Sequence, residues 1–295
     1  MKNNSKIFQL VLNIVFILFC LVCIYPLLLI LGISFSQETD VAIYGYRLIP
    51  LKFDVSAYKY IFSNPVNIIN AYKVTAIFST VGTVLSVILM SMIAYPLSKK
   101  KLKGKGKISI YLYFTMLFGG GMIPTYILIT QYLKLQDTYW VYILPGLINP
   151  WNVFIMRTFF ARLPDEIFES AKIDGACEYY IFCRFVLPLS KSVLATVALF
   201  MFFSKWQDWY TSMLYVNDDN LISIQYLLQR IMNSVDVIQQ TNQDIGISKS
   251  VSITVMPAET VKMAMAVIAS GPALMIFPFF QKYFVRGLTI GSIKS

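Results

Sequence analysis

The chain has no histidine and few charges: only 14% of its 295 residues are Asp, Glu, Lys or Arg, against about 25% in soluble domains. Without histidine it lacks the commonest general base and metal ligand near neutral pH. Its four cysteines make no framework. Cys20 and Cys23 spell CxxC inside an apolar run, and Cys177 and Cys183 fall in a segment expected in the reducing cytoplasm, so all four are read as packing residues. No Gly-x-x-x-x-Gly-Lys-Ser/Thr occurs, and Gly104-Lys-Gly-Lys107 has neither the spacing nor the hydroxyl. The chain therefore carries no phosphate loop of that kind with which to cleave ATP. No internal repeat or low-complexity tract stands out.

What it does have is apolar surface, at 57% of residues, above the roughly 45–50% of soluble domains. That balance describes a polytopic membrane protein. The net charge of +10 is concentrated rather than spread: Lys99, Lys100, Lys101, Lys103, Lys105 and Lys107 crowd one short loop between apolar runs. A basic cluster in a short loop fixes that loop on the cytoplasmic side, which argues against nucleic-acid binding.

A span takes about 20 mostly apolar residues. Six segments qualify: Phe8–Leu31, Val74–Leu97, Ile108–Leu133, Trp140–Phe160, Ser192–Leu214 and Val261–Phe280. Lys2 and Lys6 precede the first, which is too long for the core of a cleaved signal peptide. It is expected to stay as a helix that starts inside. The connecting segments then alternate, with basic ones inside and the longer, acid-bearing Glu38–Asn70 and Tyr215–Glu259 outside. Both termini are expected in the cytoplasm. The polar stretch near Asn233–Ser252 is expected to be an exposed loop excursion.

Between the fourth and fifth segments runs Arg162-Leu-Pro-Asp-Glu-Ile-Phe-Glu-Ser-Ala-Lys-Ile-Asp-Gly-Ala. Pro164 suits a helix start, and Asp165 and Glu166 favour the positive end of its dipole. Ile167, Phe168 and Ala171 fall at helical spacing, and Asp174-Gly175 stops the helix. A second short helix runs to about Phe185, and Leu187-Pro188 ends it. Two short helices hinged at a glycine, lying in water between two spans, make a docking surface for a partner protein.

Glu169, Ala171, Gly175, Leu187 and Pro188 stand at the offsets of the EAA loop, and on them the chain resembles the permeases of binding-protein-dependent ABC importers. Ser170 replaces an alanine of that pattern and Phe185 an aliphatic residue. Gly119-Gly-Gly-Met-Ile-Pro-Thr-Tyr126, Thr138-Tyr-Trp, Ile143-Leu-Pro-Gly146, Pro257-Ala-Glu-Thr-Val-Lys-Met-Ala-Met265 and the tail Lys282–Thr289 resemble the carbohydrate subgroup of the MalG type. Within it, the chain is most similar to the LplC-like branch, associated with oligosaccharides and often with uronic acids. The tail has Gly291-Ser-Ile-Lys294 where the MalG type has Gly-Gly-Val-Lys.

The resemblance implies an all-α fold with six transmembrane helices, the type I importer permease fold. Residues 1–69 are expected to form an N-terminal stub, first helix and external loop. Residues 70–283 form the permease domain, with its EAA loop at about 162–189, and residues 284–295 a cytoplasmic tail that contacts the ATPase. Glu169, Ala171, Asp174, Gly175, Leu187 and Pro188 would dock on a separate ATPase, with Glu169 meeting a basic residue there. The implied partners are ATPase subunits, a second homologous permease, an extracytoplasmic sugar-binding protein and the lipid bilayer. No cofactor would be bound by this chain, ATP being used by the partner.

For the sugar path the candidates are Asn149, Asn152, Trp206, Gln207, Asp208 and Trp209, with Trp151 beside them: amides and acids for hydroxyls, rings for the C–H faces of sugars. Trp206, Trp209 and Tyr210 are expected on one helical face. Asp208, Lys205 and Lys262 all lie near expected helix ends. An ion-coupled secondary transporter would want ionisable residues in mid-membrane and inverted repeats, and neither is evident. The same permease architecture carrying a non-sugar solute stays open.

Overall fold

The computed structural model describes residues 2–63, 65–244 and 258–290. Among them every named element is helical: α1 (Lys2–Ser34), α2 (Glu38–Tyr44), α3 (Ser56–Ile61), α4 (Pro65–Ser98), α5 (Lys105–Leu117), α6 (Met122–Ile127), α7 (Trp140–Ile143), α8 (Pro150–Phe160), α9 (Asp165–Ile173), α10 (Glu178–Ile181), α11 (Leu187–Leu189), α12 (Lys191–Trp206), α13 (Tyr210–Tyr215), α14 (Ile224–Asp244) and α15 (Ala258–Ile290). Helix α6 continues through a π-helical turn at Leu128–Tyr132, and a second such turn, Phe182–Val186, joins α10 to α11. The chain divides into two compact units, Met1–Ile68 with Leu227–Pro272, and Ile69–Tyr226 with Ala273–Ser295.

Phe8–Ser34, Pro65–Ser98 and Ala258–Ile276 are each long and apolar enough to cross a membrane. The apolar window of the first has no residue buried in the chain, as suits a helix whose surroundings are lipid. Two bent pairs raise the number of candidates to five: Lys105–Leu117 with Met122–Tyr132, bent by 108°, and Glu178–Leu189 with Lys191–Trp206, bent by 80°. The first bend falls at Phe118–Gly121, where three successive glycines depress helix propensity.

Against the six expected spans, the described residues hold three candidates by length and composition, or up to five if each bent pair is one span. The segment Trp140–Phe160 is split into the 4-residue α7 and the 11-residue α8, the latter only about 16 Å long at 1.5 Å per residue. Pro145 has no N–H to continue α7, and Asn149 starts α8 afresh by accepting from the Asn152 backbone N–H at 3.2 Å ahead of Pro150.

The stretch expected as a loop from Asn233 is helical as far as Asp244, and 245–257 lie outside the described residues. Ile224, Leu227, Leu228, Ile231, Val235 and Ile238 recur at helical spacing, a period hidden by the polar residues between them. At the other end α15 runs on to Ile290, through the first part of the expected tail. Pro257 and Gly291–Lys294 lie outside the described residues.

In the first unit the chain after α1 folds back onto that helix's end. Phe35 stacks between Phe53 and Tyr58, at 5.2 and 4.9 Å between ring centres, and the Asp54 N–H donates to the Phe35 carbonyl at 2.9 Å. In the second unit one core gathers Met90, Ala94 and Leu97 of α4, Val153, Met156 and Phe160 of α8, Phe168 and Ala171 of α9, Ile181, Phe182 and Val186, and Val193, Val197 and Met201 of α12.

Candidate functional sites

The loop between α8 and α12 is held by its own chemistry. Pro164 stands at the start of α9 with extended ψ (127°). Gly175 ends it at φ 81°, where a residue with a Cβ would be strained. The Ala176 N–H then reaches the Ala171 carbonyl at 2.9 Å and the Gly175 N–H the Lys172 carbonyl at 3.0 Å, the paired bonds of a Schellman stop. Phe168 and Ala171, one turn apart, are buried in the core of their unit. That seating fixes which face of α9 is left outward: Glu169, Lys172, Ile173 and Asp174 are exposed, Ile173 to 86%.

Of the six residues expected to dock, Glu169, Asp174, Gly175 and Pro188 are exposed and Leu187 is half-buried. Ala171 is buried, its methyl packed in the core of its unit. Pro188 does not end its helix. It sits inside Leu187–Leu189, and the break comes at Ser190. The π-helical turn at Phe182–Val186 loosens the ladder just where Pro188 has no N–H to return. Ile173 was missed by the sequence reading; its signal is a large apolar residue at the polar end of a short helix.

Three sets of contacts tie α9 and α10 to each other and to the end of α4. The Tyr95 hydroxyl donates to Glu178 Oε2 at 2.6 Å, and Lys172 Nζ pairs with Glu178 Oε1 at 2.5 Å. Lys99 Nζ lies 3.5 Å from the centre of the Phe168 ring and 4.8 Å from that of Tyr95. Burial against these rings pushes the Lys99 amine below its usual range, and Glu178 opposes that shift. A groove of about 910 Å³ opens here, lined by Lys99, Lys105, Asp165, Phe168, Glu169 and Tyr179 among others. Glu169 itself has no hydrogen bond or ion pair among the described residues.

The candidate sugar-path residues have different surroundings. Asn149 caps α8. Asn152 is buried, its side-chain amide donating to Met201 Sδ at 3.3 Å. Trp206 is buried too, stacked on Phe202 at 5.6 Å and tilted against Tyr72 at 6.5 Å. Helix α12 stops at Trp206 and α13 begins at Tyr210, so Trp206, Trp209 and Tyr210 do not share a helical face. Gln207 and Trp209 are exposed and Trp151 is 63% exposed.

Asp208 is half-buried and belongs to a local network: its Oδ1 accepts from the Thr211 N–H at 3.0 Å. The Tyr142 hydroxyl lies 2.6 Å from Ser212 Oγ, Ser212 Oγ donates to Ser223 Oγ at 2.9 Å, and Ser223 Oγ donates to the Asp208 carbonyl at 2.9 Å. Ser223 Oγ also accepts from the Tyr226 N–H at 3.2 Å and so caps α14. An amide oxygen can take over the Thr211 bond. Asp208→Asn is therefore expected to change stability by less than about 0.5 kcal/mol, and Asp208→Ala to cost about 1 kcal/mol, as thermal unfolding of the purified protein would measure. A large loss in the asparagine variant would mean that the charge, rather than the cap, matters.

Comparison with known proteins agrees with this helical fold. The sequence pattern of the family "Binding-protein-dependent transport system inner membrane component" matches residues 74–290. Protein LplC of Bacillus subtilis (strain 168) is 40% identical over 273 residues, 92% of this chain and 90% of that one. The Polygalacturonan/rhamnogalacturonan transport system permease protein YtcP of the same organism is 38% identical over 294 residues, 100% of both chains. A crystal structure of a bacterial ABC transporter involved in the import of the acidic polysaccharide alginate superposes with a TM-score of 0.78 at 27% identity, covering 95% of this chain and 98% of that one. A helical membrane chain with this loop and these relatives is a permease subunit of an ABC importer, and it belongs to the inner membrane components of binding-protein-dependent transport systems.

Proposed function

We propose that the chain is one of two homologous permeases of an importer for acidic oligosaccharides, powered by a separate cytoplasmic ATPase and supplied by an extracytoplasmic binding protein. The observation that carries this reading is α9: Phe168 and Ala171 anchor it, while Glu169, Ile173 and Asp174 are exposed. A short helix fixed on its own core, with an unpaired acid and a bare isoleucine outward, is built to transmit a push from a partner. Glu169 meets a basic residue of the ATPase, Asp174, Gly175 and Pro188 frame the contact, and Leu187 supports it from behind. The chain binds no cofactor and cleaves no ATP; closure of the motor on ATP moves α9 and, through the core, α4, α8 and α12.

Six crossings are proposed, the sixth being the broken Trp140–Phe160 segment, with both termini in the cytoplasm. The domain limits 1–69, 70–283 and 284–295 follow from that topology. The cargo class is taken from the relatives, whose names include polygalacturonan and the acidic polysaccharide alginate. Asn149, Asn152, Trp206, Gln207, Asp208 and Trp209 are proposed to border the sugar path, with Gln207 and Trp209 as its accessible members.

The test is co-purification of the tagged chain from native membranes, with companions identified by mass spectrometry. A second permease and an ATPase are the expected companions. Recovery of the chain alone, after crosslinking as well, would overturn the reading.

A further inference from the structure

Lys205, one residue before the end of α12, is buried, with 7% of its surface exposed. Its stem lies across Gly82 of α4, where an added Cβ would stand 2.8 Å from Lys205 Cε and 2.9 Å from Cδ. Its ammonium donates to the Tyr142 carbonyl at 3.2 Å, a neutral acceptor. Among the described residues no carboxylate comes within ion-pair distance of it, since Asp208 turns Oδ1 to the Thr211 N–H. A cation near a helix C-terminus is favourable, but that benefit needs no burial. Asp208 is near enough to act on the ammonium through space, but burying an ammonium with no direct ion pair is costly.

The facing side of α4 carries a second irregularity. Ser79, Gly82, Thr83 and Ser86 fall at i, i+3, i+4 and i+7, one helical face. The three hydroxyl residues are buried, at 0%, 7% and 0% exposure, and their hydroxyl oxygens have no hydrogen-bond partner among the described residues. Helix hydroxyls ordinarily donate to a carbonyl one turn back, as Ser91, Ser98, Thr115, Thr158 and Thr196 do here. Three consecutive exceptions, on the face that carries the Lys205 stem, leave buried donors and acceptors unused.

We propose that Lys205, resting on the Gly82 face of α4 beside Ser79, Thr83 and Ser86, receives the carboxylate of an acidic sugar when the path opens between α4 and α12. An ammonium with several hydroxyls is the donor set that a uronate presents itself to: a charge-assisted bond for the carboxylate and hydroxyl partners for its neighbouring hydroxyls. In the arrangement seen here the lysine is stowed, held by one neutral carbonyl that a carboxylate outcompetes. Gly82 is then required because any side chain there would displace the lysine stem. This proposal rests on the acidic-cargo reading above.

The experiment uses the complete importer (both permeases, ATPase and binding protein) in proteoliposomes with ATP inside, and compares uptake of trigalacturonate with that of its trimethyl ester. Lys205→Met is expected to lower the ratio of acid to ester uptake at least tenfold, and Lys205→Arg to keep it within threefold of the unaltered complex. Acid and ester uptake falling together in Lys205→Met would make the lysine structural and overturn the proposal. So would an unchanged ratio, and either result leaves the cargo reading standing provided the unaltered complex imports trigalacturonate. If the unaltered complex takes up the ester or maltotriose but not trigalacturonate, the cargo reading fails and the proposal with it.

Discussion

Glu169→Lys is expected to lower ATP-driven uptake at least tenfold while leaving the amount of inserted protein unchanged. The side chain is exposed and has no partner among the described residues, so reversing its charge removes nothing from the fold of this chain. A lysine set against the basic residue proposed on the ATPase replaces attraction with repulsion, which costs several kcal/mol across an interface. Lys172→Ala is the control: its pair with Glu178 is half-exposed, at 50% and 56%, and such pairs contribute about 1 kcal/mol or less. It should leave uptake within about twofold. Normal uptake by Glu169→Lys would remove the coupling role proposed for α9.

Glu38→Ala should be the most destabilising single change in the first unit. Glu38 is 8% exposed and holds the start of α15: its Oε1 accepts from the Glu259 N–H at 3.0 Å, and Oε2 from the Thr260 N–H at 2.9 Å and the Thr260 hydroxyl at 2.7 Å. The first N–H groups of a helix have no partner within it, and a carboxylate there also meets the positive end of the dipole. Alanine leaves three donors, two buried and one half-buried, without that acceptor, at a cost of about 3 kcal/mol. The Tyr46 hydroxyl donates to Glu259 Oε2 at 3.0 Å beside this cap, and burial, with help from that carboxylate, pushes its phenol above the usual range. The melting temperature of purified protein should fall by roughly 6 °C or more, with Glu38→Gln intermediate because one neutral oxygen remains. An unchanged melting temperature in Glu38→Ala would show that the cap is dispensable.

The loop around Glu169 was legible from the sequence because its signals are local. Pro164, the first-turn acids and Gly175 act within a few residues of themselves, and their spacing needs no tertiary information. Which face of α9 looks outward was not legible. Ala171 reads as a small residue fit for close approach, and only its packing with Phe168 in the second unit's core turns it inward. Trp206 and Trp209 were separated by a break at Gln207–Trp209, which no proline or glycine announces. The polar sequence from Ile224 to Asp244 hid a helix because its apolar period is sparse.

By itself the sequence determined the class of this protein: a helical membrane chain with no phosphate loop of its own, a lysine loop between apolar runs, and a charged loop of short helices between two apolar segments. Composition and near-neighbour spacing suffice for that, since bilayer thickness and helix caps act on short stretches. The tertiary structure alone decided what Glu38 and Lys205 do. Glu38 reaches a helix 221 residues away, and Lys205 reaches a carbonyl 63 residues away. Pairings of such range depend on which helices pack together, and the burial that gives each charge its significance exists only once they have packed.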